Sequence, residues 1–121
     1  MPRHVLEEGL IHPAVRERVA MHQRAIVDEV RAAIAAHTVV VVGMAMNPFP
    51  RQARRLLREA GIAHHYLGYG SYFSDWRRRN ALKMWTGWPT FPMVFVKGHL
   101  VGGASELKKL QASGELARLL G

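Results

Sequence analysis

The residues that could carry chemistry are basic, aromatic and imidazole side chains: 17 Lys and Arg, seven His, three Trp and no Cys. Without a thiol the chain can form no disulfide, hold no cysteine-ligated zinc or iron–sulfur cluster, and use no thiolate nucleophile. The histidines do not replace it. His64 and His65 are adjacent on an expected strand and therefore face opposite ways. His4, His12 and His22 lie near the N-terminus, without the i, i+4 spacing that helical ligands favour, so no metal site is expected. Arg51, Arg54, Arg55 and Arg58 follow one helical stripe, and Arg77, Arg78 and Arg79 cluster on the next helical segment. A basic patch alone gives only salt-sensitive attraction, so a solvated face is favoured over nucleic-acid recognition, and an acidic protein partner would be served equally well.

The elements that must position these residues follow from periodicity and breakers. Pro13 opens a helix expected to run to about Ala36, with Val15, Val19, Ile26, Val30 and Ile34 near one face, the part after about Arg24 packing on the domain and the part before it forming an extension. Val39-Val40-Val41-Val42 reads as a strand buried on both faces. In Asn47-Pro48-Phe49-Pro50, Asn47 can cap a helix, Pro48 fits its first position, and Gly61 stops it after the apolar Ala53, Leu56, Leu57 and Ala60. Ile62 to Leu67 is expected as a second strand parallel to the first, because a helix joins them. A third helix is expected over Tyr72 to Trp85, then an antiparallel hairpin of Met93 to Val96 and His99 to Val101. Ser105 is the expected cap of a helix from Glu106 to Gln111, and a last turn spans Leu116 to Leu120.

A chain of 121 residues fits one core, and 49% hydrophobic with 21% charged residues describes a folded domain instead of a disordered one. Residues 1–38 carry five charges of each sign, so the whole net +8 falls on the remainder, where an anionic partner should be sought. The N-terminus shows no export pattern and no apolar stretch reaches bilayer length, which leads to the expectation of a soluble, cytoplasmic protein without membrane partners. Among the aromatics, Tyr69 and Tyr72 flank a glycine-bearing loop, where exposed rings often mark a contact surface.

The run from Trp88-Pro89-Thr90-Phe91-Pro92 through Met93 to Gly102-Gly103, with Arg79, Leu82 and Lys83 before it and Ser113-Gly114-Glu115-Leu116 after it, resembles the glutaredoxins, particularly the monothiol class with Cys-Gly-Phe-Ser at the active site. The likeness covers roughly residues 25–120 and implies an α/β thioredoxin-like fold, a four-stranded mixed sheet flanked by helices. Residues 1–24 are then a helical extension and 25–121 the glutaredoxin-like domain. The resemblance also implies that Pro92 is a cis-proline facing the site, with the Phe91 N–H and C=O offered to a peptide-like ligand, and that Arg79 meets a glycyl carboxylate of glutathione. Asn47-Pro48-Phe49-Pro50 falls where the family has Cys-Gly-Phe-Ser: Phe49 agrees and the nucleophile is gone. The family lysine ahead of the cysteine should fall near Met44, and Ala104-Ser105 replaces the usual residue-Asp pair after Gly103.

The resulting expectation is a cysteine-less family member without catalytic residues. It would be a non-redox peptide- or protein-binding module with a residual ligand site at Asn47, Phe49, Arg79, Thr90, Phe91, Pro92, Gly103 and Ser105. No cofactor is required, glutathione binding is expected to be weak, and a homodimer through the N-terminal helix is open. Two alternatives stand beside it: an oxidoreductase-type activity that uses glutathione's own thiol, and nucleic-acid binding by the basic surface.

Overall fold

A computed structural model describes residues 2–121. Its centre is a four-stranded sheet of β1 (Val39–Gly43), β2 (His65–Gly68), β3 (Met93–Val96) and β4 (His99–Gly102), in the order β2-β1-β3-β4. β1 pairs in parallel with β2 and antiparallel with β3, which pairs antiparallel with β4 through an irregularity at Val94/Phe95. The parallel pair requires a crossover, supplied by helix α3 (Pro48–Glu59).

Because successive strand residues face opposite ways, the valine run of β1 feeds two cores at once. Val40 and Val42, with Met93 and Phe95, pack against α2 (Arg24–Ala36) and α4 (Trp76–Thr86) through Ile26, Val30, Ala81 and Leu82. Val39 and Val41, with Val94 and Val96, pack against α3, α5 (Ala104–Ser113) and α6 (Glu115–Leu120) through Ala53, Leu57, Leu107 and Leu116. All five β1 residues are buried. The arginines of α3 and α4 therefore lie on opposite sides of the sheet, and the basic excess is divided between two surfaces.

Several boundaries differ from the sequence expectation. The long N-terminal helix is two helices, α1 (Pro13–Met21) and α2, separated at His22 and Gln23, where Gln23 adopts φ 47°. α1 buries no residue, and Val15 and Val19 remain 42% and 55% exposed. Among the described residues none buries the continuation of the apolar stripe, so little packing holds α1 in line with α2. β2 begins at His65 instead of Ile62, because the chain first closes α3: the Ile62 N–H donates to Leu57 O at 2.9 Å and that of Gly61 to Arg58 O at 3.0 Å. α4 begins at Trp76 instead of Tyr72, since Ser71 and Ser74 side chains accept from the Phe73 and Ser71 N–H groups and hold the segment as a turn. The cap of α5 is Gly103 and Ser105 lies inside the helix, a correction with consequences at the site. Among the described residues no helix is long and apolar enough to cross a membrane.

Candidate functional site

The C-terminal end of β1 leads through Met44, buried, to Asn47 at the start of α3. Gly43 makes that entry possible: a Cβ there would stand 2.7 Å from Pro50 Cβ and 2.9 Å from the Tyr66 hydroxyl. Asn47 uses both ends of its carboxamide. Its Oδ1 accepts from the Phe49 N–H at 3.0 Å, and its Nδ2 donates to Phe91 O at 3.2 Å. The cap and the Phe91–Pro92 segment, separated by 44 residues, are thus joined by one side chain. The Phe91–Pro92 peptide is cis.

This arrangement decides what the helix start can bind. A helix offers its first-turn N–H groups to anions, but Pro48 and Pro50 have none, and the Phe49 N–H is already held by Asn47. The place where a thiolate or other anion would be stabilised has no free first-turn donor. Phe91 retains an N–H that donates to no partner among the described residues, whereas its carbonyl is occupied by Asn47. Thr90 is exposed beside it and Pro92 is buried.

At the neighbouring corner, Glu106 gathers the α5 start. Its Oε1 accepts from the Gly103 N–H at 2.9 Å and its Oε2 from the Ser105 hydroxyl at 2.7 Å. The Ser105 bond, followed by the Gly103 N–H, holds the Glu106 carboxyl below its ordinary value. Gly102, at φ 115°, admits Glu106 because a Cβ there would meet Glu106 Cβ at 2.7 Å. Trp88 Nε1 is buried without a partner among the described residues, 3.6 Å from where a Cβ on Gly103 would sit.

Arg79 is withdrawn from the solvated face on which Arg77 stands. It is 6% exposed, and its Nη1 donates to Tyr69 O at 2.9 Å and to Ser74 O, pinning the loop between β2 and α4. The same loop is fixed by Tyr69, whose hydroxyl donates to Glu29 Oε1 at 2.8 Å; burial, then the Glu29 hydrogen bond, pushes its pKa well up. The cation that meets Phe91 is Lys83, with Nζ 5.8 Å from the ring centroid. Lys83 and Glu106 are not among the ligand residues expected from the sequence: Lys83 lies one turn after Arg79 and stands beside the Phe91 ring, and Glu106, next to Ser105, accepts from both Ser105 and Gly103.

The two loops meet through backbone bonds, Ala45 N–H to Gly70 O at 2.7 Å and Tyr69 N–H to Gly43 O at 2.9 Å. Met46 and Phe49 flank Asn47 on one side of this junction, Tyr72 and Phe73 follow Gly70 on the other, and all four are exposed, Phe73 to 85%. The expected opposite pointing of the neighbouring imidazoles is seen: His64 accepts from Arg54 Nε at 3.4 Å, and His65 stacks on His37 at 4.2 Å. Burial, foremost, lowers the His64 pKa.

Comparison with known proteins is consistent with this geometry. A "Glutaredoxin-like protein" of Dictyostelium discoideum is 46% identical over 91 residues, covering 75% of this chain and 74% of that one. "Monothiol glutaredoxin-4" of Schizosaccharomyces pombe is 35% identical over 72 residues, 60% of this chain, and "Glutaredoxin-3" of Bos taurus is 38% identical over 72. The chain spans only 28% and 21% of the length of those two relatives. The crystal structure of wheat glutaredoxin superimposes with a TM-score of 0.68 at 26% identity, over 81% of this chain and 94% of that one. A buckwheat glutaredoxin–glutathione complex, at 18% identity and TM-score 0.71, covers 83% and 91% and shares the fold. The glutaredoxin family model matches residues 39–101, more than half of the sequence, and the chain belongs to the glutaredoxin family as a member without a cysteine.

Proposed function

We propose that this glutaredoxin-family chain is a thiol-independent binding module that receives an extended peptide segment of a protein partner along the Phe91–Pro92 edge. The observation that carries the reading is a helix start whose nucleophile is absent and whose first-turn anion donors are deleted or occupied, with Met46, Phe49, Tyr72 and Phe73 exposed on the two loops joined beside it. Such a site can offer surface and main-chain bonds but no thiolate chemistry. The Phe91 N–H gives the ligand backbone a donor, Thr90 a flanking hydroxyl, and Lys83 a cation for a carboxylate, so an acidic segment is favoured. The ligand must share or displace the Asn47 bond to Phe91 O, which makes glutathione, with few other contacts to contribute, a weak ligand. A cytoplasmic setting belongs to the same proposal.

The test is a titration of the 15N-labelled chain with glutathione and, separately, S-methylglutathione, which lacks the free thiol. Saturable shifts at Thr90, Phe91 and Gly103 with similar midpoints for both ligands are expected. Binding that requires the free thiol would overturn the proposal, as would linear shifts scattered over the α3 and α4 arginines and abolished by salt.

A further inference from the structure

Two unpartnered apolar features lie away from the Phe91 edge, on the face covered by α2 and α4. One is a groove of about 530 Å3 between the last turn of α1, α2 and α4, walled by Val19, Val27, Ala81 and Trp85, with Met84 63% exposed at its lip. Every titratable residue lining it is basic or imidazole: His22, Arg24 and Arg31. Asp28 lies between the two arginines on α2, 3.3 Å from Arg24 and 3.8 Å from Arg31, but all three side chains remain about half exposed. The other feature is the arm ahead of α1, where Val5, Leu6 and Leu10 are 65%, 64% and 69% exposed and Glu7 and Glu8 stand between them. Arg3 of this arm donates to Trp85 O at 3.3 Å, so the arm reaches the end of α4, yet its apolar side chains stay outside the groove.

We propose that two copies of this chain exchange arms: Val5, Leu6 and Leu10 of one copy seat in the α2/α4 groove of the other, with Glu7 and Glu8 against Arg24 and Arg31. The complementarity is of shape class and of sign, an acidic apolar segment for a basic-rimmed apolar groove, and both halves are carried by one sequence. A twofold axis repeats the contact and closes the assembly, because each copy gives one arm and receives one. Each copy contributes both the arm and the groove, so the contact is made twice in the pair. The inference does not depend on the ligand reading, since neither the groove nor the arm includes Asn47, Phe91 or Lys83.

Sedimentation equilibrium of the full chain tests it, with far-UV circular dichroism confirming that each variant folds. A dimer is expected for the wild type at micromolar concentrations. Leu10→Asp and Met84→Glu, both at exposed positions, should each raise its dissociation constant at least about 30-fold, the effect of losing one hot-spot contact. Reversing Glu7 and Glu8 to Arg should weaken it, and reversing Arg24 and Arg31 to Glu in the same chain should restore it. A wild type that stays monomeric at 100 μM, on the order of a weak interface, or a dimer that these substitutions leave unchanged, overturns the proposal.

Discussion

Asn47 is the position where the structure makes the sharpest demand, because one carboxamide performs two separable tasks. Asn47→Ser keeps an oxygen that can cap the Phe49 N–H but has no donor to reach Phe91 O; Asn47→Ala keeps neither. The link to Phe91 should contribute about 0.5–1.5 kcal/mol, as a part-buried neutral hydrogen bond does. The cap adds about 0.5–2 kcal/mol, its value sustained by the two prolines that leave Phe49 as the first-turn donor. Stability should therefore fall in steps from Asn to Ser to Ala, by roughly 1 and then roughly 2 kcal/mol in total, with each kcal/mol lowering Tm by about 3–5 °C for a chain of this size. Urea unfolding with an unchanged m-value is the assay. The same Ser variant frees the Phe91 carbonyl, so S-methylglutathione should bind about 2- to 12-fold more tightly, the equivalent of one hydrogen bond. A Ser variant as stable as wild type, with no gain in binding, would refute the claim that this side chain bridges the cap and the edge.

The two cations near the site should behave differently: Arg79→Ala should lower Tm by releasing the Tyr69 and Ser74 carbonyls, whereas Lys83→Ala should leave Tm nearly unchanged and weaken the S-methylglutathione shifts. Equal thermal effects would contradict that division. Ser105→Ala removes the leading cause of the lowered Glu106 pKa, so carbon-detected titration of that carboxyl should show it rising toward its ordinary value of 4.5. With the folded pKa below the unfolded one, the stabilisation by Glu106 is present above pH 4.5 and is lost as pH falls through the folded value, and Ser105→Ala should shrink that acid-side slope. Asn47→Cys should not recover the activity of a cysteine-bearing relative, because the new thiol meets one first-turn donor where Pro48 and Pro50 have removed two; its pKa, followed by alkylation rate, should stay near the ordinary thiol range of about 8.5. Full turnover in that variant would show that only the nucleophile was missing.

Much of the frame was legible in the sequence because it rests on local chemistry. A run of four valines can only be a strand with two buried faces, and Asn-Pro before an arginine-rich amphipathic segment marks a helix start. The Trp88–Gly103 segment carried the family and the cis peptide at Pro92 with it. What escaped was tertiary. The functional boundary near Arg24 was expected, but not that the helix itself stops at Met21 and restarts at Arg24, since the stripe through Val15 and Val19 continues in sequence while both side chains stay exposed in the fold. Arg79 and Lys83 are one turn apart with like charge, and burial alone sends the first into a loop and leaves the second beside Phe91. Ser105 and Glu106 are both good residues for a helix start, and the N3 carboxylate, reaching back to Gly103, took the capping role. The bond from Asn47 to Phe91 was invisible because its ends lie on different elements, 44 residues apart.

In this chain the glutaredoxin fold stands without a thiol of its own. The direct measurement is the rate at which the full chain, with excess glutathione, reduces a small glutathione mixed disulfide in a coupled assay, set against the same mixture without protein. The uncatalysed rate is expected at every protein concentration, since no cysteine is present and the first-turn donors that would steady glutathione's own thiolate are deleted or held by Asn47. A rate that rises in proportion to protein and saturates with glutathione would contradict it, and would show that the site positions the thiolate of its ligand in place of one of its own.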